Sequence, residues 1–263
     1  MSLLHAIILG IVQGITEFLP ISSSGHLLLV EYLFGIEEGN LFFNILLHLA
    51  SLLAVVIVMR NELGKLLKKP FSKQTLTIVV CCVVTVIMVL FLSFTTDKFT
   101  SIGYLGFGFF ASAVLILITH FKAKFNDKKV LLKRDIGYAD AVIICITQGL
   151  ATLPGVSRSG TTISTALLLN NSKESSANFS FLISIPIIIG AMIFDIVKEG
   201  GESIANVSAA NCIVGFVASF VMALLSIKWM YSIIKKRSWI GFSIYLFVLS
   251  AVVLLNQYVL MWI

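Results

Sequence analysis

The chain of 263 residues is 58% hydrophobic and only 12% charged, which is about half the charged fraction of a typical soluble domain. A mean hydropathy of +1.02 and several apolar runs of roughly 20 residues, each able to cross a hydrocarbon core of about 30 Å, exclude a soluble globular protein. The net charge of +6 is therefore a signal of membrane topology and not of nucleic-acid binding.

Two kinds of apolar segment follow one another along the chain. Full membrane spans are predicted at about 41–59, 75–94, 103–121, 178–197, 209–230 and 239–262. Two further segments, 3–34 and 137–169, are interrupted near their middles by proline and polar residues. Each is either one span followed by a short helix, or a re-entrant helix-loop-helix that returns to the side from which it entered.

The distribution of lysine and arginine favours the re-entrant alternative. With two re-entrant hairpins, sixteen of the 19 basic residues fall on one side, Lys98 and Lys198 fall on the other, and Arg158 alone is left in the membrane. The basic side is then cytoplasmic by the positive-inside rule. A hairpin followed by three spans is an odd number of crossings, so the second repeat, 136–263, is inverted relative to the first, 1–135.

The predicted fold is thus an all-α polytopic membrane protein with six transmembrane helices and two re-entrant hairpins, arranged as an inverted-topology repeat. The hairpin tips resemble each other: residues 13–26 read QGITEFLPISSSGH, and residues 148–162 read QGLATLPGVSRSGTT. Hairpin one opens to the outside and hairpin two to the cytoplasm, with the tips meeting near the midplane. Non-helical backbone at that depth is tolerated only inside protein or beside a wet cavity, so the tips are expected to line one.

Three ionisable residues lie in or beside these tips. Glu17 and His26 flank the first tip, and Arg158, in the second, faces them in this architecture. Charge inside a membrane is costly, which makes each residue a functional candidate. The hydroxyl groups around them belong to Ser22, Ser23, Ser24, Ser157, Ser159, Thr161 and Thr162. Hydroxyl donors, helix N-termini and one guanidinium suit an oxyanion, above all a phosphate.

Structural alternatives exist for several of these residues. Small and hydroxyl residues are common where membrane helices pack, and an Arg–Glu pair could serve only to hold the hairpins together. His48 lies in a span, where it is either a packing or hydrogen-bonding residue or lines the pocket, and Glu31 is expected to be solvated. The four cysteines, Cys81, Cys82, Cys145 and Cys212, lie within apolar runs without the spacing of a metal cluster. The adjacent Cys81 and Cys82 are expected to pack between helices without redox chemistry.

Two motifs resemble those of one family. Gln13-Gly14-Ile15-Thr16-Glu17 matches (E/Q)-x-x-x-E and is followed by the Ser-Ser-x-Gly-His run that ends at His26. The second tip, from Pro154 to Thr162, matches P-G-x-S-R-S-x-x-T. Together they resemble the bacterial undecaprenyl-diphosphate phosphatases of the bacitracin-resistance type, and the resemblance covers essentially the whole chain.

The resemblance implies an integral hydrolase of the bacterial cytoplasmic membrane, with its active site facing the outer side. Its activity would convert undecaprenyl diphosphate to undecaprenyl phosphate and inorganic phosphate, which recycles the carrier lipid for peptidoglycan synthesis and confers bacitracin resistance. The expected partners are the polyprenyl diphosphate and membrane lipids, without nucleic acid, and a homodimer is one candidate assembly. A divalent cation, Mg²⁺ or Ca²⁺, is expected to bridge the diphosphate.

The resemblance carries function onto eight positions: Gln13, Glu17, Ser22, Ser23, His26, Ser157, Arg158 and Thr162. With neighbouring residues of the two tips, they make up the predicted site. The catalytic set is Glu17, Ser23, His26 and Arg158. The substrate-binding set is Gln13, Ser22, Ser24, Ser157, Ser159, Gly160, Thr161 and Thr162. Glu17 is the expected metal ligand, and because Gln13 is neutral, the diphosphate is expected to supply most of the cation's oxygen ligands.

The nucleophile stays open at this point among His26, Ser23 and a water activated by Glu17 or His26. Joint action of His26 and Ser23 is favoured, one as nucleophile and the other as its proton partner. The rival function is a transporter or flippase for a lipid phosphate or small anion. In that case Arg158 and Glu17 would form a binding and gating pair, and His26 would bind without forming bonds.

Overall fold

The computed structural model describes residues 1–36, 41–93, 102–126, 135–198, 207–236 and 239–260, which are helical or in turns, without a β-strand in these ranges. The helices are α1 (Leu3–Thr16), α2 (Ser23–Leu33), α3 (Leu41–Val58), α4 (Arg60–Lys68), α5 (Lys73–Ser93), α6 (Leu105–Asn126), α7 (Tyr138–Leu150), α8 (Arg158–Leu168), α9 (Lys173–Lys198), α10 (Ala209–Lys236) and α11 (Ile240–Leu255). A 3₁₀ turn at Ile102–Tyr104 precedes α6, and a π turn at Asn256–Leu260 follows α11.

Six of these helices, α3, α5, α6, α9, α10 and α11, are long and apolar enough to cross a membrane. They coincide with the six spans predicted from the sequence, which confirms the all-helical polytopic fold. The predicted ends at 94 and 261–262 lie outside the described residues. Apolar side chains such as Val83, Ile87 and Phe91 of α5 are exposed, as expected for a surface whose solvent is lipid.

Two helix-loop-helix units occupy the interrupted segments. Helix α1 has 14 residues and α7 has 13, so at a rise of about 1.5 Å per residue they are roughly 20 Å long. Neither can cross a core of about 30 Å alone. Each contacts the 11-residue helix that follows it, α2 or α8. Short paired helices fit the predicted hairpins, whose orientation in the bilayer stays a prediction.

Each hairpin packs mainly against a span from the other half of the chain. Helix α1 lies on α10, and α7 lies on α5. Glycines make these contacts close: a methyl group on Gly14 would come within 2.4 Å of the Ser219 carbonyl oxygen, and one on Gly149 within 2.4 Å of Met88 Cβ. Small residues let membrane helices approach in this way. Packing of each hairpin against the other half is consistent with two similar repeats. The repeat boundary at 135/136 and the inverted topology of the second repeat stay predictions.

The structure corrects two expectations about individual residues. Cys81 and Cys145 form a disulfide that joins α5 to α7, so the expectation that Cys81 packs without redox chemistry is wrong. The two cysteines are 64 positions apart in sequence, and their Cα atoms lie 5.4 Å apart because α5 packs on α7. The sequence alone does not reveal this proximity. Glu31 is not solvated as expected but only 7% exposed. Its buried carboxylate is satisfied by a hydrogen bond of 3.0 Å from Asn44 Nδ2.

Candidate active site

Each hairpin tip ends in a serine that caps the second helix of the hairpin. Ser22 Oγ accepts from the Gly25 N–H at 3.4 Å at the start of α2, and Ser157 Oγ accepts from the Gly160 N–H at 3.0 Å at the start of α8. Ser22 has a φ of 71°, which is unusual for a residue with a side chain. Both helices therefore begin at the tips, where unpaired N–H groups and the helix dipole favour an anion.

The two tips touch each other directly, as the sequence predicts. Ser159 Oγ of the second tip donates to the Leu19 carbonyl oxygen of the first at 2.8 Å. A methyl group on Gly25 would come within 2.8 Å of the Phe109 ring and 3.0 Å of Gly155 Cα, so the lack of a side chain at Gly25 allows the tips to approach closely. The polar ends of two separate hairpins are thus brought to one place inside the helix bundle.

A buried ion pair joins the tips. An Arg158 Nη2 hydrogen is donated to Glu17 Oε1, and the two side chains are 16% and 4% exposed. The other oxygen, Glu17 Oε2, accepts from Ser23 Oγ at 2.6 Å and from Gln13 Nε2 at 3.0 Å. One carboxylate therefore contacts a guanidinium, a hydroxyl and an amide, three of the groups that the sequence assigns to the site.

A cavity of about 40 Å³ lies beside this ion pair. Its lining residues are Thr16, Glu17, Ser22, Ser23, Ser24, Ala151, Val156, Ser157, Arg158 and Ser159. This volume holds ordered water or a small ion. A larger cavity of about 500 Å³ is lined by Lys73, Asp135, Glu174 and their neighbours, and contains none of the predicted site residues. We place the candidate site at the small cavity because the convergent charged and hydroxyl groups are there.

Several buried polar atoms near the tips have no hydrogen-bond partner among the described residues. They are Arg158 Nη1, Gln13 Oε1 and Thr161 Oγ1. A buried unpaired donor or acceptor costs about 1–3 kcal/mol. Such atoms are expected where a ligand completes the hydrogen bonding, and a donor and an acceptor on opposite tips suit an anion accompanied by a cation.

The structure places His26 behind the first tip. Its Nδ1 lies 2.7 Å from the Ser22 carbonyl oxygen, and its Nε2 lies 2.6 Å from Tyr245 Oη on α11. The ring lies nearly parallel to that of Tyr245 and is steeply inclined to that of Phe109. Both ring nitrogens are thus occupied by groups other than Ser23 and Glu17, and His26 does not line the cavity.

Other predicted residues also lie away from the cavity. Thr162 Oγ1 contacts Ser180 Oγ of α9 at 2.7 Å and the backbone of its own helix. Thr161 and Gly160 are buried in the first turn of α8 and do not line the cavity. Gln13 lies in α1 and contacts Glu17 instead of the cavity. Part of the predicted set therefore supports the groups that face the cavity.

Sequence analysis missed the residues that support the site from other helices. Ser112 of α6 accepts from the Ser157 N–H at 2.9 Å and donates to the Gly155 carbonyl oxygen at 3.3 Å. A methyl group on Gly108 would lie 1.9 Å from the Pro154 carbonyl oxygen. No local pattern marks either residue, because each acts on a loop more than 40 positions away in sequence. Tyr245 was missed for the same reason.

His48 is closer to the site than its position in a span suggested. Its Nδ1 lies 2.9 Å from Gln13 Nε2 and 3.6 Å from Glu17 Oε2. Gln13 Nε2 also lies 3.4 Å from Ser51 Oγ, one helical turn further along α3. Helix α3 thus supports the Glu17 carboxylate through Gln13. His48 is a hydrogen-bonding residue and does not line the cavity.

The oxygen atoms around Glu17 bear on the predicted cation. No group of three or more His, Cys, Asp or Glu side chains that could hold a metal ion occurs within the described residues. Glu17 offers one carboxylate, and the unpaired Gln13 Oε1 offers a second oxygen from the same face of α1. Oxygen ligands are those that Mg²⁺ and Ca²⁺ prefer, so these residues fit a cation that takes its remaining ligands from a bound phosphate.

Comparison with known proteins gives consistent matches over the whole chain. The family model described as bacitracin resistance protein BacA matches residues 6–252. Undecaprenyl-diphosphatase of Carboxydothermus hydrogenoformans is 37% identical over 260 residues, which cover 98% of both chains. Undecaprenyl-diphosphatase of Bacteroides thetaiotaomicron is 37% identical over 98% of this chain and 100% of its own. Undecaprenyl-diphosphatase 3 of Bacillus cereus is 38% identical over 98% of both.

Proposed function

This chain belongs to the bacitracin resistance protein BacA family, and from that premise we propose that it is an integral membrane undecaprenyl-diphosphatase. It hydrolyses undecaprenyl diphosphate to undecaprenyl phosphate and inorganic phosphate, which returns the carrier lipid to peptidoglycan synthesis and confers bacitracin resistance. The observation that carries the proposal is the buried Arg158–Glu17 pair between two serine-rich tips, in a protein with six membrane-spanning helices.

The proposed phosphate site is the junction of the tips. Arg158 has one buried nitrogen, Nη1, without a partner among the described residues, and a guanidinium binds phosphate oxygens through paired N–H groups. The first turns of α2 and α8 add backbone N–H donors. These donors stabilise negative charge on the terminal phosphate in the transition state, when it is greatest.

The proposed nucleophile is Ser23, with Glu17 as its base. Support comes from the hydrogen bond of 2.6 Å from Ser23 Oγ to Glu17 Oε2 and from the engagement of both His26 nitrogens elsewhere. Ser23 Oγ attacks the terminal phosphorus and gives its proton to Glu17, while the bond from phosphorus to the bridging oxygen breaks and undecaprenyl phosphate leaves. Water then attacks the phosphorus of the phosphoserine, the bond from phosphorus to Ser23 Oγ breaks, and Glu17 returns its proton to Ser23 Oγ. Both protons of the water leave with the inorganic phosphate or pass from it to solvent.

A divalent cation, Mg²⁺ or Ca²⁺, is part of the proposal. Glu17 and Gln13 Oε1 would hold it, with the diphosphate supplying further oxygens. When bound, the cation offsets negative charge on the diphosphate. Glu17 also forms the ion pair with Arg158, which offsets part of its negative charge. The carboxylate alone would therefore attract a cation only weakly.

The proposed location is the bacterial cytoplasmic membrane, with the site open to its outer side. Support comes from the concentration of basic residues on one side and from the exposed basic helix α4 between two spans. An impermeant thiol reagent tests the topology in protein without Cys82 and Cys212. Ser2→Cys and Phe34→Cys are expected to react from outside, and Glu174→Cys only from the cytoplasm. Labelling of residues 2 and 34 from opposite sides would contradict a re-entrant first hairpin.

Phosphate release by purified protein in detergent tests the function itself. Wild-type protein with undecaprenyl or farnesyl diphosphate and Mg²⁺ or Ca²⁺ is expected to release phosphate, and Arg158→Met protein is expected to lose this activity. Detergent solution has no two sides, so release there distinguishes a hydrolase from a transporter. Folded protein without release would overturn the proposal and direct attention to lipid movement in vesicles. Homodimer formation stays a prediction.

A further inference from the structure

The last span, α11, contacts the first hairpin through a hydrogen bond between Tyr245 Oη and His26 Nε2. A carbonyl oxygen can only accept, so the 2.7 Å contact between His26 Nδ1 and the Ser22 carbonyl oxygen requires a hydrogen on Nδ1. His26 is 8% exposed, and no carboxylate contacts its ring within the described residues. A charged ring would therefore be buried without a counter-ion, which is unfavourable. The neutral ring has an unprotonated Nε2, and Tyr245 donates its hydroxyl hydrogen to it.

The opposite side of the His26 ring acts on the strained residue of the tip. Ser22 has a φ of 71° and a ψ of 99°, a conformation that persists only where the surroundings hold it. Its carbonyl oxygen accepts two hydrogen bonds from His26, one from the backbone N–H at 3.2 Å and one from Nδ1. The next residue along the chain is Ser23, whose Oγ lies 2.6 Å from Glu17 Oε2.

The rings around His26 keep it in place independently of this hydrogen bond. The Tyr245 ring lies nearly parallel to it, with an interplanar angle of 15° and centroids 5.7 Å apart, and the Phe109 ring lies at 67° to it with centroids 5.3 Å apart. Tyr245 is 44% exposed. Replacement by phenylalanine keeps the neighbouring ring and removes only the donor to Nε2, which separates the hydrogen bond from packing.

We propose that Tyr245 is a positioning residue of the hydrolase. Its hydroxyl group fixes His26 in the Nδ1–H tautomer, which holds the Ser22 carbonyl and thereby directs Ser23 Oγ at Glu17. The inference rests on the proposed function and deepens it, because it gives His26 a role that requires no contact with the substrate. Without the Tyr245 hydroxyl group, no hydrogen-bond donor from the described residues favours an unprotonated Nε2 over a protonated one. The ring then populates both the Nδ1–H and the Nε2–H tautomer.

Steady-state phosphate release by Tyr245→Phe protein tests the role in catalysis. We expect kcat to fall about tenfold, the value of one hydrogen bond, while KM changes by less than about twofold, because Tyr245 does not touch the diphosphate site. Tyr258→Phe is the matched control: it lies on the exposed surface just beyond α11 and its kcat should equal that of the wild type. An unchanged kcat in folded Tyr245→Phe protein would overturn the inference.

Nitrogen-15 NMR of histidine-labelled protein in detergent tests the tautomer without any need for activity. The His26 signals are identified by their loss in His26→Asn protein. We expect a protonated Nδ1 and an unprotonated Nε2 in the wild type, and a mixture of tautomers in Tyr245→Phe protein. A wild-type ring protonated at Nε2 would overturn the inference even if the variant failed to fold. Folded wild-type protein that releases no phosphate would overturn the proposed function, and the catalytic part of this inference with it.

Discussion

Removing one charge of the Glu17–Arg158 pair should damage the protein more than removing both. The pair is buried, with side chains 4% and 16% exposed, and it joins residues 141 positions apart in sequence. The informative series is Glu17→Gln, Arg158→Met and the double variant. Each single change leaves one buried charge without its partner, whereas the double variant leaves none.

The expected loss follows from the burial. Removing one partner of a buried ion pair costs about 3–5 kcal/mol, because the other charge stays desolvated. The lower end, about 3 kcal/mol, applies here because Arg158 borders a cavity that admits water. For a chain of this size about 1 kcal/mol corresponds to roughly 2–4 °C, so each single variant should lower Tm by about 6–12 °C. The double variant should lie within about 1 kcal/mol of the wild type, since no unpaired charge is buried.

Thermal unfolding in detergent and phosphate release together separate stability from catalysis. All three variants should lose activity, by about 10²–10⁴-fold for loss of the base Glu17 and about 10³–10⁵-fold for loss of the arginine. A double variant that is stable and inactive would establish two points. The charges are needed for catalysis, and in folding each charge only compensates the cost of burying the other. If the two single losses of stability simply add in the double variant, or if Glu17→Gln protein keeps its activity, the reasoning is refuted.

Three further predictions concern single positions. Ser23→Ala should abolish phosphate release, whereas Ser175→Ala, in the first turn of α9 and outside the lining of the candidate site, should leave kcat within about threefold; equal losses would remove Ser23 from its role as nucleophile. Gly108→Ala should lower both Tm and activity, because the added methyl meets the backbone of the second tip, while Gly241→Ala, with open space around it, should change neither. Chelation of divalent cations should stop the reaction. Gln13→Glu should lower the Mg²⁺ concentration needed for half-maximal activity, since it adds a carboxylate ligand. An unchanged Mg²⁺ requirement would exclude residue 13 from the cation site.

Much of the architecture could be predicted because the membrane imposes simple rules. A core of about 30 Å requires long apolar helices, so hydropathy alone located all six spans. The same rules identify a polar loop inside an apolar segment as unusual. Because a buried charge is costly, Glu17 and Arg158 each require a partner. Their pairing across 141 positions follows from that requirement together with the resemblance between the two tips.

The direction in which each side chain points could not be predicted. His26 lies three positions after Ser23, so sequence proximity suggested joint action, yet both of its nitrogens contact other groups. The reason is that α2 begins at Ser23, and the His26 ring turns back toward the Ser22 carbonyl and α11. The Cys81–Cys145 disulfide and the support from Ser112 depend likewise on how remote helices pack, which no local pattern records.

In the proposed mechanism the ion pair would also connect substrate binding to activation of the nucleophile. Before substrate binds, Arg158 stabilises the negative charge of Glu17, which would make this carboxylate a weak base. A phosphate at Arg158 would share the guanidinium and add negative charge beside Glu17, so the carboxylate would accept the Ser23 proton more readily. The proposed base would therefore become stronger when substrate binds. A tip that carried Glu17 without the arginine of the other half would have neither a stable buried charge nor this response, and the proposed site therefore needs both hairpins.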